Sequence, residues 1–396
     1  MTRHVYLDNA ATTAVAPEVL EEMLPFFSAS FGNPSSIYSF ARRNREVLEK
    51  ARGKVARALN ASPGEIFFTS GGTESDNWAL KGAAFRKENR GRGGHIITSA
   101  IEHHAVLHSA EFLEKMGYRI TWLPVDKRGM VSASQVEDAI DEDTFIVSVM
   151  FANNEIGTIQ PVKEIGEVCR KKGVLFHTDA VQAAGHVPID LKNLPVDMLS
   201  LSGHKFRGPK GVGALYIRGG TKIENLIHGG GQERGKRATT ENVPGIAGFA
   251  KALELAVEKM EKESARQAKL RDRLISELKE RIPRAVLNGA EGDLRLPNNV
   301  NMSFVGVEGE TLLLDLDSAG ISASTGSACS SGSLDPSHVL MAIGLDHEHA
   351  HGSLRMTVGD LTTEEDIDYV LETLPGIIKR RREMSPLWEN ISSKSK

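Results

Sequence analysis

The sequence predicts an α/β protein built on a mostly parallel sheet with helices on both faces, followed by a smaller α+β unit. Three features predict it. Short apolar runs alternate with helical spans between residues 66 and 217, and residues able to do chemistry fall just after those runs. Near residue 245 the alternation gives way to one long, charged helix.

Taken in order, residues 66–69 (Ile-Phe-Phe-Thr) read as a short buried strand, and helical periodicity follows over 73–87. Further strands are predicted at 95–98, 145–150, 174–177, 198–201 and 213–217, with helices over 105–116 and 162–172. From about 245 a single helix is predicted to 281, and Pro283 forbids its continuation. Leu253, Leu270, Ile275 and Leu278 lie in it among charged residues, as on a partly exposed bridge. Strand-like residues 299–304 and helices over 310–319 and 363–381 follow. The change of pattern places a large domain over 15–260 and a small one over 261–396, to which residues 1–14 are assigned.

At 396 residues, 40% apolar and 25% charged, the composition is that of an ordinary globular protein. A net charge of -4 gives no reason to expect nucleic acid or an anionic membrane as partner. No run approaches the roughly 18 apolar residues that span a bilayer. Residues 1–6 lack the apolar run of a secretory signal. Cys169 and Cys329 alone make no disulfide framework. A cytoplasmic location is the expectation.

Four motifs follow predicted strands. Ser70-Gly71-Gly72-Thr73-Glu74 opens a helix, where free N–H groups and the helix dipole can cradle a phosphate and Thr73 can add a hydroxyl. From these residues alone a tight turn with a Thr cap is the stronger reading. Asp179 ends a strand in His177-Thr178-Asp179-Ala180-Val181-Gln182, at the sheet edge where such folds bind ligands. It could hold a pyridine nitrogen protonated, or simply cap a helix. Lys205, in Ser202-Gly203-His204-Lys205, is placed to form a Schiff base with an aldehyde cofactor; a basic surface loop is the alternative. His103, in Glu102-His103-His104, offers an imidazole to stack on a planar ring. No metal-ligand spacing accompanies these histidines, and 347–351 (His-Glu-His-Ala-His) reads as a solvated helix start.

Together these motifs resemble the pyridoxal-phosphate (PLP) enzymes of the aspartate aminotransferase fold, fold type I. More closely they resemble the cysteine desulfurases of the NifS/IscS kind, within the class-V aminotransferases. The resemblance runs nearly end to end through Tyr6-Leu7-Asp8-Asn9-Ala10-Ala11-Thr12-Thr13, Phe31-Gly32-Asn33-Pro34-Ser35-Ser36, Ala152-Asn153-Asn154-Glu155-Ile156-Gly157-Thr158 and Gly229-Gly230-Gly231-Gln232-Glu233-Arg234-Gly235. It implies that Lys205 is the Schiff-base lysine, that Asp179 pairs with the pyridinium, and that His103 stacks on the ring. It further implies Gln182 and Asn154 near the ring oxygen and substrate, and Gly72, Thr73, Ser202 and His204 around the phosphate. Thr240 corresponds to a threonine that reaches the phosphate of the neighboring subunit, which implies a homodimer. The family usually has glycine where Thr239 stands, and a Cβ there is costly if φ is positive. Arg355 matches the arginine that clamps the substrate α-carboxylate, as a planar guanidinium can. Asp360 stands where the family often has another arginine.

Residues 322–334 are small and polar throughout, with Cys329 in the middle. Such a stretch buries little and is expected to be mobile, and packing gives a poor account of its cysteine. Cys169, on a predicted helix, is the packing kind. The 327–331 run (Ser-Ala-Cys-Ser-Ser) resembles the longer cysteine loop of the NifS/IscS group, in which the thiolate takes sulfur at the cofactor and presents it elsewhere as a persulfide. The implied reaction converts L-cysteine to L-alanine, with an iron–sulfur scaffold protein or another sulfur acceptor as partner. No resident metal is expected, Cys329 being at most a cluster ligand within a scaffold complex. Selenocysteine lyase and a non-catalytic scaffold are the rivals; retention of Lys205 and Arg355 argues against the second.

Overall fold

The computed structural model describes residues 3–86, 88, 89, 93–325, 336–385 and 388. Cys329 and the 327–331 motif lie outside the described residues, as do the last residues of the chain.

Twelve strands are described, labeled β1 to β12 in chain order. The main sheet has seven, β2 (Ile66–Thr69), β3 (His95–Ser99), β4 (Arg119–Leu123), β5 (Thr144–Ser148), β6 (Leu175–Asp179), β7 (Met198–Ser202) and β8 (Gly213–Ile217). Their spatial order is β2-β8-β7-β6-β5-β3-β4, and only β8 runs against the rest. The C-terminal ends of β2, β3, β5, β6 and β7 therefore share one edge. Strands β2, β3 and β6 to β8 are buried almost throughout, which is why they read as continuous apolar runs. Helices Gly72–Ala84, His104–Lys115 and Val162–Lys172 connect them close to the predicted spans.

Helix Val243–Arg281 runs as predicted, and Asn242 caps it by accepting the Gly245 N–H at 3.1 Å. Its first turns (Val243, Ile246, Phe249, Leu253) pack in the core beneath the main sheet. Its last turns (Leu270, Leu274, Ile275, Leu278) pack in a second core with Val5, Leu7, Met302, Leu354 and Ile378. That second core covers an antiparallel sheet of β9 (Ala285–Leu287), β10 (Asn299–Phe304) and β12 (Ser353–Thr357) in the order β12-β10-β9. Beside it β1 (Val5–Tyr6) pairs in parallel with β11 (Ile321–Ser322).

One expectation needs correcting. The stretch predicted to be mobile from 322 is anchored at its start. Ser322 pairs with Tyr6, and Ser324 is buried and exchanges backbone hydrogen bonds with Arg355 at 3.1 and 2.6 Å. A backbone ladder needs no large side chain, so small polar residues did not preclude a strand.

Candidate active site

A cavity of about 580 Å³ opens at the shared C-terminal edge of the main sheet, within the range of small-molecule sites. It is lined by Gly72, Thr73, His103, Asn154, Asp179, Gln182, Ser202, His204, Lys205 and Arg355, ten residues singled out from the sequence. Thr240 is not among them. It lines a smaller hollow behind Ser70 and Gly211, together with Glu233, Arg237 and Thr239.

The glycine turn after β2 presses against the ends of its neighbors. A Cβ on Gly72 would lie 2.6 Å from Val181 Cγ2, so only glycine fits. No side chain caps the helix it opens, which leaves first-turn N–H groups for a ligand. Glu74 fixes the turn by accepting the Ser70 N–H at 2.8 Å and a bidentate pair from Arg237 at 2.7 and 2.8 Å.

Asp179 is buried, and its Oδ1 accepts the Val181 N–H at 2.8 Å. Burial raises its pKa, while that hydrogen bond and the Lys205 charge oppose the rise. Lys205 sits in the turn just past β7 and donates to the carbonyls of Ala10 at 2.6 Å and Ala11 at 2.9 Å. Gln182 donates to the same Ala10 carbonyl at 3.0 Å. His103 caps helix His104–Lys115, its Nδ1 accepting the Ala105 N–H at 3.1 Å, so the proton is on Nε2. Burial first, and then the Lys205 charge, hold the His103 pKa down at about 4. His204 is likewise pushed down to about 4, mainly by burial, and its Nδ1 lies 3.2 Å from Thr12 Oγ1.

Arg355 projects from β12, buried at 3% exposure. It donates to Asp8 Oδ1 at 2.8 Å and to the Asn154 carbonyl at 3.2 Å. Its buried Nε–H has no hydrogen-bond partner, and the residue lines the cavity, where a guanidinium can take a carboxylate. Asp360, placed where an arginine was expected, instead accepts from Arg207 and from Gln267, each at 3.3 Å.

Four participants escaped the sequence reading as site residues. The carbonyls of Ala10 and Ala11 leave no side-chain signature. Asp8 reached notice only inside a longer motif. Asp76, buried on helix Gly72–Ala84, also lines the cavity. Cys169 is buried and its thiol is pushed up to about 12 by burial, which leaves it inert.

The donor set fits PLP. The glycine cradle suits a phosphate, a buried carboxylate faces a lysine across the cavity, and an imidazole held neutral stands beside them.

The class-V aminotransferase profile matches residues 5–370. Two cysteine desulfurases named IscS are similar over nearly the whole chain. The one from Clostridium botulinum is 63% identical, covering 98% of each chain; that from Methanosarcina thermophila is 59% identical, covering 97% of this chain and 94% of its own. Among solved structures, a NifS-like protein superposes with a TM-score of 0.89 at 44% identity, covering 96% of this chain and all of its own. The structure of SspA in complex with cysteine gives 0.79 at 40% identity, covering 91% and 100%. The chain belongs to the class-V aminotransferase family, among its cysteine desulfurases.

Proposed function

We propose that the chain converts L-cysteine to L-alanine and carries the released sulfur as a persulfide on Cys329. The observation that carries this is the meeting of Lys205, Asp179 and Arg355 at one cavity, a lysine, a carboxylate and a guanidinium drawn from both cores. A solved relative, SspA, is described in complex with cysteine, which supports that substrate.

The cofactor of the family is PLP, which supplies an aldehyde carbon for an amine and a ring that stabilizes negative charge at Cα. Gly72, Thr73, Ser202 and His204 would hold its phosphate, Lys205 its aldehyde carbon, Asp179 its ring nitrogen and Gln182 its ring oxygen. Each residue then has a task of its own. Arg355, steadied by Asp8, would hold the substrate carboxylate with its guanidinium. Lys205 takes the Cα proton and returns a proton to Cα before alanine leaves, and the carbonyls of Ala10 and Ala11 keep its amine in place. His103, held neutral, would cover the ring without adding charge. The Cys329 thiolate attacks the substrate sulfur. An S–S bond forms as the C–S bond breaks, and the electron pair left on Cβ takes a proton to become the methyl of alanine.

The division into a domain over 15–260 and another over 1–14 with 261–396 is part of the same proposal, as is a homodimer in which Thr240 completes the partner's site. Exposed Leu24, Phe27, Phe31, Ile37 and Tyr38 support the dimer, since a lone subunit rarely displays so many large apolar side chains together. No described helix is long and apolar enough to cross a membrane. We place the protein in the cytoplasm, delivering sulfur to an iron–sulfur scaffold or another acceptor.

Incubating the holoenzyme with cysteine, and assaying alanine and protein-bound persulfide, tests the assignment. Cys329→Ser is expected to lose both products. Alanine formed by that variant at the parent rate would remove Cys329 from the reaction.

A further inference from the structure

A second carboxyl lies at the cavity beside Asp179. Asp76 is 1% exposed, and its Oδ1 has no hydrogen-bond partner. One oxygen of Asp76, one of Asp179 and a ring nitrogen of His103 lie within 4.8 Å of one another. In sequence Asp76 is a polar residue inside a helix, which ordinarily faces solvent; here Ser75, Trp78, Ala79 and Leu80 are buried around it.

The groups facing Asp76 supply no compensating charge. From β6, His177 Nε2 stands 3.6 Å from Asp76 Oδ1. That ring is engaged by the hydroxyls of Ser148 at 2.8 Å and Ser200 at 2.9 Å, and burial pushes its pKa down to about 3, so it is neutral. Beyond β3 lie neutral His103 and the buried carboxyl of Glu102, and beyond β7 lies Lys205, whose charge acts on Asp179. Two buried carboxyls in one site do not both ionize. With Lys205 favoring charge on Asp179, the proton stays on Asp76, and burial and then the Asp179 charge raise its pKa against a hydrogen bond from the Ser200 hydroxyl.

We propose that Asp76 is a positioning residue of the cofactor site, a neutral acid that donates a hydrogen bond toward Asp179, directly or through one water, and so keeps Asp179 ionized and the proton on the cofactor's ring nitrogen. The proposal rests on the assignment of Asp179 to the ring nitrogen. A carboxylate that receives such a donor is a weaker base, so it competes less for the proton that makes the ring an electron sink.

The test uses holoenzyme reconstituted with PLP labeled with ¹⁵N in the ring, whose NMR shift reports protonation of that nitrogen. Wild type and Asp76→Asn, which keeps a donor, are expected to hold the ring protonated across neutral pH. Asp76→Leu is expected to lower the titration midpoint of the nitrogen by about one pH unit or more, and kcat by about tenfold with KM for cysteine little changed. An unchanged nitrogen shift in Asp76→Leu would overturn the proposal. So would loss of the proton in Asp76→Asn as well, which would make Asp76 a charge rather than a donor. A wild-type ring unprotonated throughout would overturn the Asp179 assignment, and this proposal with it.

Discussion

Thr239 adopts a φ of +106°, a region that glycine enters freely and a β-branched side chain only under constraint. The constraint comes from either side. Its N–H donates to Gln232 Oε1 at 3.3 Å, and Arg237, two residues earlier, is clamped to Glu74. Such strain costs about 1–3 kcal/mol, offset in part by the entropy that glycine loses on folding. Thr239→Gly is therefore expected to raise stability by about 1 kcal/mol, read as a higher guanidinium midpoint at unchanged slope. A lower midpoint would show that the threonine side chain contributes more than its backbone costs.

At the scale of elements, a buried ion pair joins the clamp of Arg237 on Glu74 in fixing the segment that leads to Thr239 and Thr240. Arg52, on helix Ser39–Ala58, donates to both carboxylate oxygens of Glu233 at 2.8 and 2.9 Å, and Glu233 also accepts the Phe68 N–H of β2 at 2.9 Å. Both side chains are 3% exposed. Glu233→Ala leaves the buried guanidinium with only the exposed Glu49, 3.3 Å from its Nε, as counter-charge, a loss of about 3 kcal/mol that thermal unfolding should show as a large fall in Tm. A fall no larger than that of an exposed Glu→Ala change would mean that water reaches Arg52. Glu233 was legible only inside a longer motif, and Arg52 not at all, nor was the helix that carries it. Helix Ser39–Ala58 buries Ala41, Asn44, Leu48, Ala51, Arg52 and Val55, so two polar residues interrupt its apolar stripe and blur the periodicity. Strand β4 escaped for a related reason, since at the sheet edge its residues are mostly only half-buried. The central strands were legible because burial on both faces writes an unbroken apolar run.

For the molecule as a whole, legibility followed sequence distance. Asp179, Lys205 and the glycine turn stand at the ends of readable strands, so the fold itself brings them together. The tie between Asp8 and Arg355 crosses 347 residues, and the grip of Ala10 and Ala11 on Lys205 uses backbone alone; no local pattern records either. Nor does sequence record that burial here gathers carboxyls, which sets how the stability of the chain responds to pH. Glu102 is fully buried, and burial lifts its pKa from an ordinary 4.5 to about 8, against the opposing hydrogen bonds from Ser99 Oγ and the Met150 N–H. Between those two values the folded chain keeps a proton that the unfolded chain has released, so stability from this group is present below 4.5 and declines as pH rises toward about 8. Glu102→Gln does not titrate, and its Oε1 can accept the same two hydrogen bonds. Wild type is therefore expected to lose about 3–4 kcal/mol more than Glu102→Gln between about pH 5 and about pH 8, measured by guanidinium unfolding at each pH. A gap between the two proteins that stays constant over that interval would mean that Glu102 is ionized in the fold, with a cation or ordered water supplying the missing partner for its Oε2.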